Sequence, residues 1–459
     1  MDNGIKDKAD DDISSNSKLE PGNTESDENI SKETEIPLIS HEEVSPAQLV
    51  GRTESMAEDS MQIIKETSLT VKVSKNVLEE SGKIVGDISI ALDGFGMVTT
   101  DKGTEVVKRF TFTNIKNKMQ IQVISLGATI TSIQLPDKNG VLEDVALGFD
   151  TIEEYYEDSN PSIGCTLGRD AFETLQDEHY SGLGLFNWIS SLDGSKLVLS
   201  HVSEDGWKGY RGTVMIKAIF ELKEDNSFHV TYRATSTRAT SINLSLNLYL
   251  NLAGHAAKRN ELYKHIFTIN ADKSIKDRTY KLSKFQPKYV GGTVFDLRSP
   301  KEIGPVIARS PQFGFDKYYI LTKGTEQLIS FAARVLHPTS GRYVEIYTDQ
   351  GGIQFYTADY FPDVSNEAIP MAMDDSFDRD TVDLELTGKS DHSLKSGVLY
   401  SRGGEIKGKD GASYERHGAF CINSLGLPAE DIGNNFKNNI VIPSYDYQHR
   451  IIYKFGVVD

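Results

Sequence analysis

The sequence predicts an all-β protein, a large antiparallel β-sandwich preceded by an acidic tail. Three observations favour this class. Many short segments alternate apolar and polar residues, turn-rich links such as DGSK and KEDNS separate them, and helical periodicity is nearly absent apart from TIEEYYED. Because these strands follow one another without intervening helices, a parallel α/β sheet is disfavoured and antiparallel pairing is expected.

The acidic tail is predicted to cover residues 1–90 and to be largely disordered. Residues 1–60 hold 16 Asp and Glu against 5 Lys and Arg, and the first aromatic residue of the chain is Phe95. Such a segment buries too little apolar surface to offset the entropy that is lost on ordering. Residues 91–459 are therefore predicted to form the folded domain.

The folded domain is predicted as a series of strands from Phe95 onward. The run MQIQVISLGATITSIQLP leads into Asp137–Gly140, which predicts a hairpin turn because Asn-Gly tolerates positive φ. A polar stretch at 362–408 interrupts the series and is predicted to be a long loop insertion. Further strands are predicted at 196–202, 213–222, 227–235, 265–270, 317–322, 328–337, 342–348, 352–358 and 438–457.

The stretch Ser241–Gly254, SINLSLNLYLNLAG, is predicted to form one long central strand. Ile242 and five leucines fall on every second residue, and Asn, Ser and Tyr fill the places between them. A period of two places the two sets on opposite faces of a strand. Amides and hydroxyls both donate and accept hydrogen bonds, as sugar hydroxyls require, so the uncharged polar face favours a polar pocket.

The composition disfavours several functional classes. A net charge of -18 argues against nucleic-acid binding and against contact with an anionic membrane. Cys165 and Cys421 are the only cysteines, which fits a reducing compartment. The sequence contains no secretory signal and no apolar run of bilayer length, so a cytoplasmic protein is expected. The histidines are dispersed, so no metal site is expected, and no familiar catalytic motif is present.

Beyond residue 95 the chain resembles the aldose 1-epimerase (galactose mutarotase) family. The resemblance rests on many short strings that occur in the order of the family, none of which is decisive alone. They include Gly127-Ala-Thr-Ile130, Asp137-Lys-Asn-Gly140, Leu147-Gly-Phe-Asp150, Gly168-Arg169, Asn251-Leu-Ala-Gly254, Gly314-Phe-Asp316, Gly352-Ile-Gln-Phe-Tyr-Thr357 and Phe420-Cys421.

The resemblance implies a single large antiparallel supersandwich with an open sugar-binding groove, and a small hexose or glycan as the partner. It also implies acid–base chemistry on a sugar hemiacetal without a cofactor. In the family, a Glu takes the proton of the anomeric hydroxyl and a His protonates the ring oxygen, so the ring opens and closes as the other anomer. Both groups must change protonation near neutral pH.

At both proton-transfer positions this chain departs from the family pattern. The acid His of the family corresponds to Asn247, in NLSLNLYLNLAG, and the base Glu corresponds to Asn423, which follows Phe-Cys-Ile. Phe172 and Glu173 stand where the family has a substrate-holding Asn-Arg pair. An amide does not titrate near pH 7, so it can hold a hydroxyl but cannot move its proton.

Two positions keep a residue type that binds substrate in the family, and a third residue is a candidate to stand in for another. Asp316, in GFDK, matches a sugar-binding Asp, Gln354, in GIQFYT, matches a Gln of the groove, and His179 is the candidate for the substrate-holding His. Structural interpretations remain open beside these. Asp316 could bond its own backbone in a turn, Gln354 could satisfy buried amides, and His179 could be a loop residue. Arg169, after a Gly at a strand end, is interpreted as structural.

The expected function is hexose or glycan binding in carbohydrate metabolism by a pseudoenzyme with lost or weak mutarotase activity. Two alternatives stay open. In the first, the protein is an active epimerase in which His179, Asp316 or Glu173 transfers protons in a rearranged site. In the second, it is a protein-interaction platform that uses the tail or the 362–408 insertion.

Overall fold

The computed structural model describes residues 83–100, 103–156, 162–171, 182–275, 287–310, 314–324, 328–363, 405–426 and 439–458. Within these ranges the regular structure is almost entirely β-strand. The predicted tail up to residue 82, the candidate residue His179 and most of the 362–408 insertion lie outside them.

The described residues form many strands and a few short helices. The strands of the first half are β1 (Lys83–Val85), β2 (Ile88–Thr100), β3 (Gly103–Asn114), β4 (Met119–Ile124), β5 (Thr129–Pro136), β6 (Leu142–Asp144), β7 (Thr166–Leu167), β8 (Ile189–Asp193), β9 (Lys196–Ser203), β10 (Val214–Leu222), β11 (Ser227–Ser236), β12 (Thr240–Ser241), β13 (Ser245–Leu246) and β14 (Tyr249–Leu250). The strands of the second half are β15 (Ile266–Ile269), β16 (Ala271–Ile275), β17 (Pro287–Tyr289), β18 (Lys301–Glu302), β19 (Asp316–Leu321), β20 (Ser330–Leu336), β21 (Arg342–Thr348), β22 (Gly352–Tyr356), β23 (Ile406–Lys407), β24 (Ser413–Tyr414), β25 (Phe420–Leu425), β26 (Ile440–Val441) and β27 (Tyr447–Val457). The helices are α1 (Ile152–Tyr156), α2 (Arg259–Leu262) and α3 (Ile303–Arg309). Across the described part of the chain, no helix has the length and apolarity needed to cross a membrane.

Strands β1 to β6 form a six-stranded antiparallel sheet in sequence order. The predicted hairpin at Asp137–Gly140 is confirmed, since β5 and β6 pair across it and Asp137 Oδ1 accepts the Asn139 N–H at 2.8 Å. The sheet begins at Lys83, inside the segment that the sequence assigns to the tail. Ile88 and Ile90 explain the difference, because they alternate on β2 and are buried, although both precede Phe95, the first aromatic residue of the chain.

Two further antiparallel sheets contain most of the remaining strands. The nine-stranded sheet has the order β18-β15-β20-β21-β27-β11-β10-β9-β8, and a second six-stranded sheet has the order β14-β25-β22-β19-β16-β17. The strands predicted between residues 196 and 358 are confirmed within a few residues, apart from the central stretch. The C-terminal strand β27 lies between β21 and β11, so the end of the chain completes the middle of the nine-stranded sheet.

Side chains from all three large sheets meet in one hydrophobic core. The ring of Phe112 in the first six-stranded sheet lies 5.7 Å from that of Phe228 in the nine-stranded sheet. The ring of Phe267 in the nine-stranded sheet lies 4.9 Å from that of Phe355 in the second six-stranded sheet. Each such buried ring contributes roughly 1.5–3 kcal/mol. The nine-stranded sheet therefore packs against both others, which confirms the predicted antiparallel β-sandwich.

The prediction of one long strand at Ser241–Gly254 is wrong. The segment contains three two-residue strands, β12, β13 and β14, which pair in turn with β26, β7 and β25. The alternation is nevertheless retained, because Ile242 and the five leucines all enter the main core. The alternation indicates an extended backbone with two faces. It does not indicate the pairing partners, because these belong to segments that are distant in the sequence.

A buried histidine fixes the end of this segment. His265 is completely buried, and its Nε2 accepts the Leu252 N–H at 3.0 Å. The opposite ring nitrogen, Nδ1, lies 2.9 Å from the carbonyl oxygen of Glu261. Burial, with a smaller effect of the stacked His337, lowers the pKa of His265 to about 3. His265 is therefore neutral at physiological pH, with Nε2 available as an acceptor.

We expect acidification to destabilise the fold through His265. The folded-state pKa lies below the ordinary value of about 6.5 for an unfolded chain, so the unfolded state binds the proton first and stability falls as the pH drops below that value. Between neutral pH and pH 5 this group should cost about 2 kcal/mol of unfolding free energy. Urea denaturation at neutral pH and at pH 5 measures this cost. The loss of unfolding free energy between the two pH values should be smaller in His265→Gln than in the wild type.

The matched control is His201→Gln, because His201 is only partly buried on β9. This variant should keep the full loss of the wild type between the two pH values. If His265→Gln lost as much unfolding free energy as the wild type, the conclusion that His265 is a neutral hydrogen-bond acceptor would be contradicted.

Candidate functional site

Four neighbouring strands of the second six-stranded sheet, β14, β25, β22 and β19, carry a polar face. Residues directly opposite one another on adjacent strands share a face of the sheet, so the strand register brings their side chains together. The register pairs Tyr249 with Cys421, Tyr356 with Cys421, Gln354 with Asn423 and Asp316 with Tyr356.

Four predicted site residues form one hydrogen-bonded row on this face, which we call the amide row: Asp316, Gln354, Asn423 and Asn247. Gln354 Nε2 donates to Asp316 Oδ1 at 2.7 Å. Asn423 Nδ2 donates both to Gln354 Oε1 at 3.2 Å and to Asn247 Oδ1 at 3.0 Å. At the far end, Asn247 Nδ2 donates to the carbonyl oxygen of Ser162 at 3.0 Å. Residues distant in sequence therefore converge at one place.

The amide row is buried. Asp316 is 6% exposed and the three amide residues are 1–2% exposed. The Cys421 thiol lies beneath them and donates to Asn423 Oδ1 at 2.8 Å, and burial raises its pKa well above the ordinary value. A neutral thiol donor and three amides thus satisfy one another, as buried polar groups require.

The structure shows hydrogen bonds of the two residues, Asp316 and Gln354, for which the sequence leaves a purely structural role open. Asp316 is the first residue of β19, and its carboxylate accepts a hydrogen bond from Gln354 on the neighbouring strand β22. Gln354 does satisfy buried amide groups, since it donates to Asp316 and accepts from Asn423. A structural role for Gln354 is compatible with a role in holding the row for a ligand.

A titratable pair adjoins the Asp316 end of the row. His417 Nε2 lies 3.0 Å from Asp359 Oδ1, and His417 Nδ1 lies 2.8 Å from the Tyr263 hydroxyl. Thr357 Oγ1 donates to the same oxygen of Asp359 at 2.6 Å. Burial raises the pKa of Asp359, and the charge of Asp316 raises it further, while the contact with His417 acts in the opposite direction.

The carboxylate of Asp359 lies against Gly314, two residues before Asp316. A Cβ added to Gly314 would collide with this carboxylate. Tyr356 lies opposite Asp316 in the strand register, and its ring lies 6.1 Å from that of Tyr249.

Other polar residues of the Ser241–Gly254 segment do not line the candidate site. Their side chains bond to the backbone or side chains of successive neighbours, so the predicted polar pocket reduces to Asn247 and Tyr249. The contacts are Asn243 with Asp170 at 3.3 Å and with the Gly426 carbonyl at 3.0 Å, Ser245 with the Ser424 carbonyl at 2.6 Å, and Asn251 with the Gly418 carbonyl at 2.9 Å.

The remaining sequence candidates lie elsewhere. Arg169 is completely buried and donates to the carbonyl oxygens of Ser203 and Gly212 at 2.8 and 2.5 Å, which supports its structural interpretation. Residues 172–181, which include His179 and the substituted Asn-Arg positions, lie outside the described residues. In the described ranges, no group of three or more His, Cys, Asp or Glu side chains is arranged to hold a metal ion.

The sequence model of the aldose 1-epimerase family matches residues 108–174 and 186–454, so the chain belongs to this family. Galactose mutarotase from Bos taurus is 29% identical over 392 residues, which cover 81% of this chain and 99% of that protein. The human galactose mutarotase is 28% identical over 384 residues, which cover 79% and 97% of the two chains. These matches confirm the family that the sequence strings indicate.

Solved structures share the fold. The GalM/aldose epimerase homologue from C. elegans superposes with a TM-score of 0.58 at 21% identity, over 75% of this chain and 97% of that one. The galactose 1-epimerase from Lactobacillus acidophilus superposes with a TM-score of 0.57 at 18% identity. This match covers 81% of this chain and 99% of that one. At these identities the likeness supports the mutarotase-like sandwich and not the identity of a ligand.

Sequence reasoning missed Asp359, His417 and the aromatic residues beside them. A signal was present, because Asp359 follows the GIQFYT string by two residues and His417 precedes Phe420 by three. Both residues thus adjoin strings that carry the family resemblance. Their pairing spans 58 positions and follows from the fold alone.

Replacing Asn423 by Asp should strongly destabilise the protein. Asp has nearly the same shape, but it removes both donors of the row and places a charge against two carbonyl oxygens. An uncompensated buried charge costs about 3–5 kcal/mol. Urea denaturation at neutral pH measures the loss, which should shrink on acidification because the new carboxyl group is then protonated.

The matched control is Asn139→Asp in the exposed β5–β6 turn, which should stay within about 0.5 kcal/mol of the wild type. If Asn423→Asp were as stable as this control, Asn423 would not be the buried donor that joins the row.

Proposed function

We propose that this protein binds a hexose or a glycan and is a non-catalytic member of the aldose 1-epimerase family. The observation that carries the proposal is the direct hydrogen bond of 3.0 Å between Asn423 and Asn247. These are the positions that the family resemblance assigns to the base and the acid. Both are amides, and their mutual bond engages a donor of one and the acceptor of the other.

The chemistry of these two amides argues against proton transfer. A general acid or base contributes typically about 10²–10⁴-fold and must titrate near the working pH. An amide has no such titration, although it donates and accepts hydrogen bonds. Aldoses also change anomer in water unaided, so a site without an acid and a base offers little over solvent.

The composition of the site supports sugar binding. The amide row offers a carboxylate oxygen and three amide groups, which suit sugar hydroxyls that both donate and accept hydrogen bonds. The rings of Tyr249 and Tyr356, 6.1 Å apart, provide the apolar surface that a sugar ring face requires. The names of two relatives, galactose mutarotase and galactose 1-epimerase, denote action on galactose, which is a hexose.

A second candidate function is an active epimerase with relocated proton transfer. The contact of 3.0 Å between His417 and Asp359 favours it, because this pair is titratable and adjoins Asp316. In this candidate, Asp359 would serve as the base in place of Asn423. The first candidate requires only the two amides, whereas the second requires a new substrate orientation as well.

Polarimetry separates the two candidates. We expect α-glucose and α-galactose to change anomer in the presence of the purified protein at the rate of the buffer alone. A faster rate that disappears in Asp359→Asn would instead establish the second candidate. A faster rate that survives in this variant and disappears in Asn423→Ala would contradict the assignment of the amides as inactive.

Calorimetry tests the binding itself. We expect saturable binding of at least one common hexose, and Asp316→Asn should weaken it roughly tenfold because a charged hydrogen-bond acceptor is lost. The control Asp193→Asn, at the exposed end of β8, should bind as the wild type does. Absence of heat for every common hexose would contradict the proposed function.

A further inference from the structure

We propose that the outer face of the nine-stranded sheet binds an acidic peptide segment of a partner protein. The side chains of each strand alternate between the two faces of the sheet, so the outer face is the one that does not enter the core. Binding there does not depend on the proposed sugar site. The surface, which we call the outer patch, consists of five residues on β8, β9, β10 and β11: Ile189, Val202, Met215, Lys217 and Arg233.

The strand register arranges the outer patch in two adjacent rows. Residues directly opposite one another on paired strands share a face of the sheet, with their Cβ atoms about 5 Å apart. The two rows are two residues apart along each strand, which is about 7 Å. One row is Ile189, Ser200, Lys217, Arg233 and Gln448, and the other is Val202, Met215 and Thr235.

The first row contains a pair of like charges. Lys217 and Arg233 are exposed and lie directly opposite each other on β10 and β11, an arrangement that destabilises a sheet. Their next neighbours in the row are Ser200 and Gln448, which carry no charge. Asp446, just before β27, forms no ion pair with either cation in the part of the chain that the structure describes. Two positive charges are therefore left for a ligand.

Other cations of the same face are matched to carboxylates. Arg334 lies 2.7 Å from Glu345, and Arg450 lies 3.1 Å from Asp349. Lys454 lies directly opposite Glu345 in the strand register. The pair of like charges contrasts with these matched cations, as expected of a surface that takes its negative charge from a partner.

Exposed apolar side chains adjoin the two cations. Met215 is 51% exposed and lies directly opposite Val202, which is 45% exposed. Ile189, on the edge strand β8, is 78% exposed. Apolar surface that is contiguous marks a site of protein contact, whereas exposed apolar residues that are scattered singly do not. Apolar residues beside cations suit a segment that carries both apolar and acidic side chains.

The spacing of the two rows fits an extended peptide. Side chains on one face of an extended chain are two residues, or about 7 Å, apart, which equals the distance between the rows. A carboxylate accepts through two oxygens, so one acidic residue can bind both Lys217 and Arg233. The side chain two positions further then lies over Val202 and Met215. The outer patch therefore fits a segment in which one residue separates an acidic from a large apolar residue.

The charge of the whole protein favours a short segment over an extended polyanion. The net charge is -18, so an anionic membrane or a nucleic acid would meet repulsion wherever it extends beyond the outer patch. Charges more than about 8 Å away are largely screened at physiological ionic strength. A peptide that covers only the outer patch therefore senses mainly its two cations.

A synthetic peptide tests the outer patch on the full-length protein. The probe is the rhodamine-labelled peptide Gly-Ser-Glu-Ser-Leu-Ser-Glu-Ser-Gly, and fluorescence anisotropy at low ionic strength measures its binding. We expect saturable binding that weakens roughly fivefold when Gln replaces both Glu residues of the probe, because the ion pairs are lost. Replacement of the Leu by Ser should weaken binding as well, because the apolar contact is lost.

Variants of the two cations assign the binding to the outer patch. Lys217→Thr combined with Arg233→Thr should weaken binding of the probe roughly fivefold or more. Thr suits a strand and removes the like charges, so the midpoint of thermal unfolding should stay the same or rise. Lys217→Glu combined with Arg233→Glu should instead bind a probe in which Lys replaces both Glu residues. The matched control is Lys454→Gln on the same face, which should bind the original probe as the wild type does.

The possible results separate this surface from the sugar site. Absence of binding, equal binding of the Glu and Gln probes, or unchanged binding in the combined Thr variant would overturn the inference. Vesicles of phosphatidylserine that bind through Lys217 and Arg233, when the probe does not, would assign the outer patch to a membrane and also overturn it. Hexose binding should be the same in the combined Thr variant and the wild type, so each proposal can fail without the other.

Discussion

The side-chain amide of Asn423 holds the two halves of the candidate site together. Its NH₂ group has two hydrogens, and one bonds to Asn247 while the other bonds to Gln354. Its oxygen accepts from the Cys421 thiol. A carboxylate at this position could make neither donation, so the row in its present form depends on an amide. The group that closes the network therefore occupies the position that, in our proposal, corresponds to the base of the family.

The strand register explains how these side chains come together. Asn423 and Gln354 face each other across β25 and β22, and Asn247 belongs to the segment whose leucines enter the core from the opposite side. A shift of one residue in this pairing would place Ile422 in the site and Asn423 in the core. Burial of the apolar side chains of these strands thus also positions the polar row. Core and site are two faces of the same strands.

Much of the fold could be predicted from the sequence, because alternation is a local signal that survives in each strand. The prediction of a single strand at Ser241–Gly254 is wrong, because the segment pairs with three different strands and such partners depend on the whole fold. Asn247, Asn423, Asp316 and Gln354 were found through ordered family strings, and they meet in the structure. Asp359 and His417 each adjoin a family string, but their contact spans 58 positions, so local reasoning could not anticipate the pairing.

Exchange-resolved NMR of a hexose with the full-length protein tests the central claim most directly, because one sample reports both binding and anomer exchange. The hexose is whichever one the protein binds with saturation. The account predicts broadened sugar resonances, which show binding, together with α-to-β exchange no faster than in buffer. Exchange clearly faster than in buffer would contradict it, since two hydrogen-bonded amides cannot act as the acid and base of that reaction.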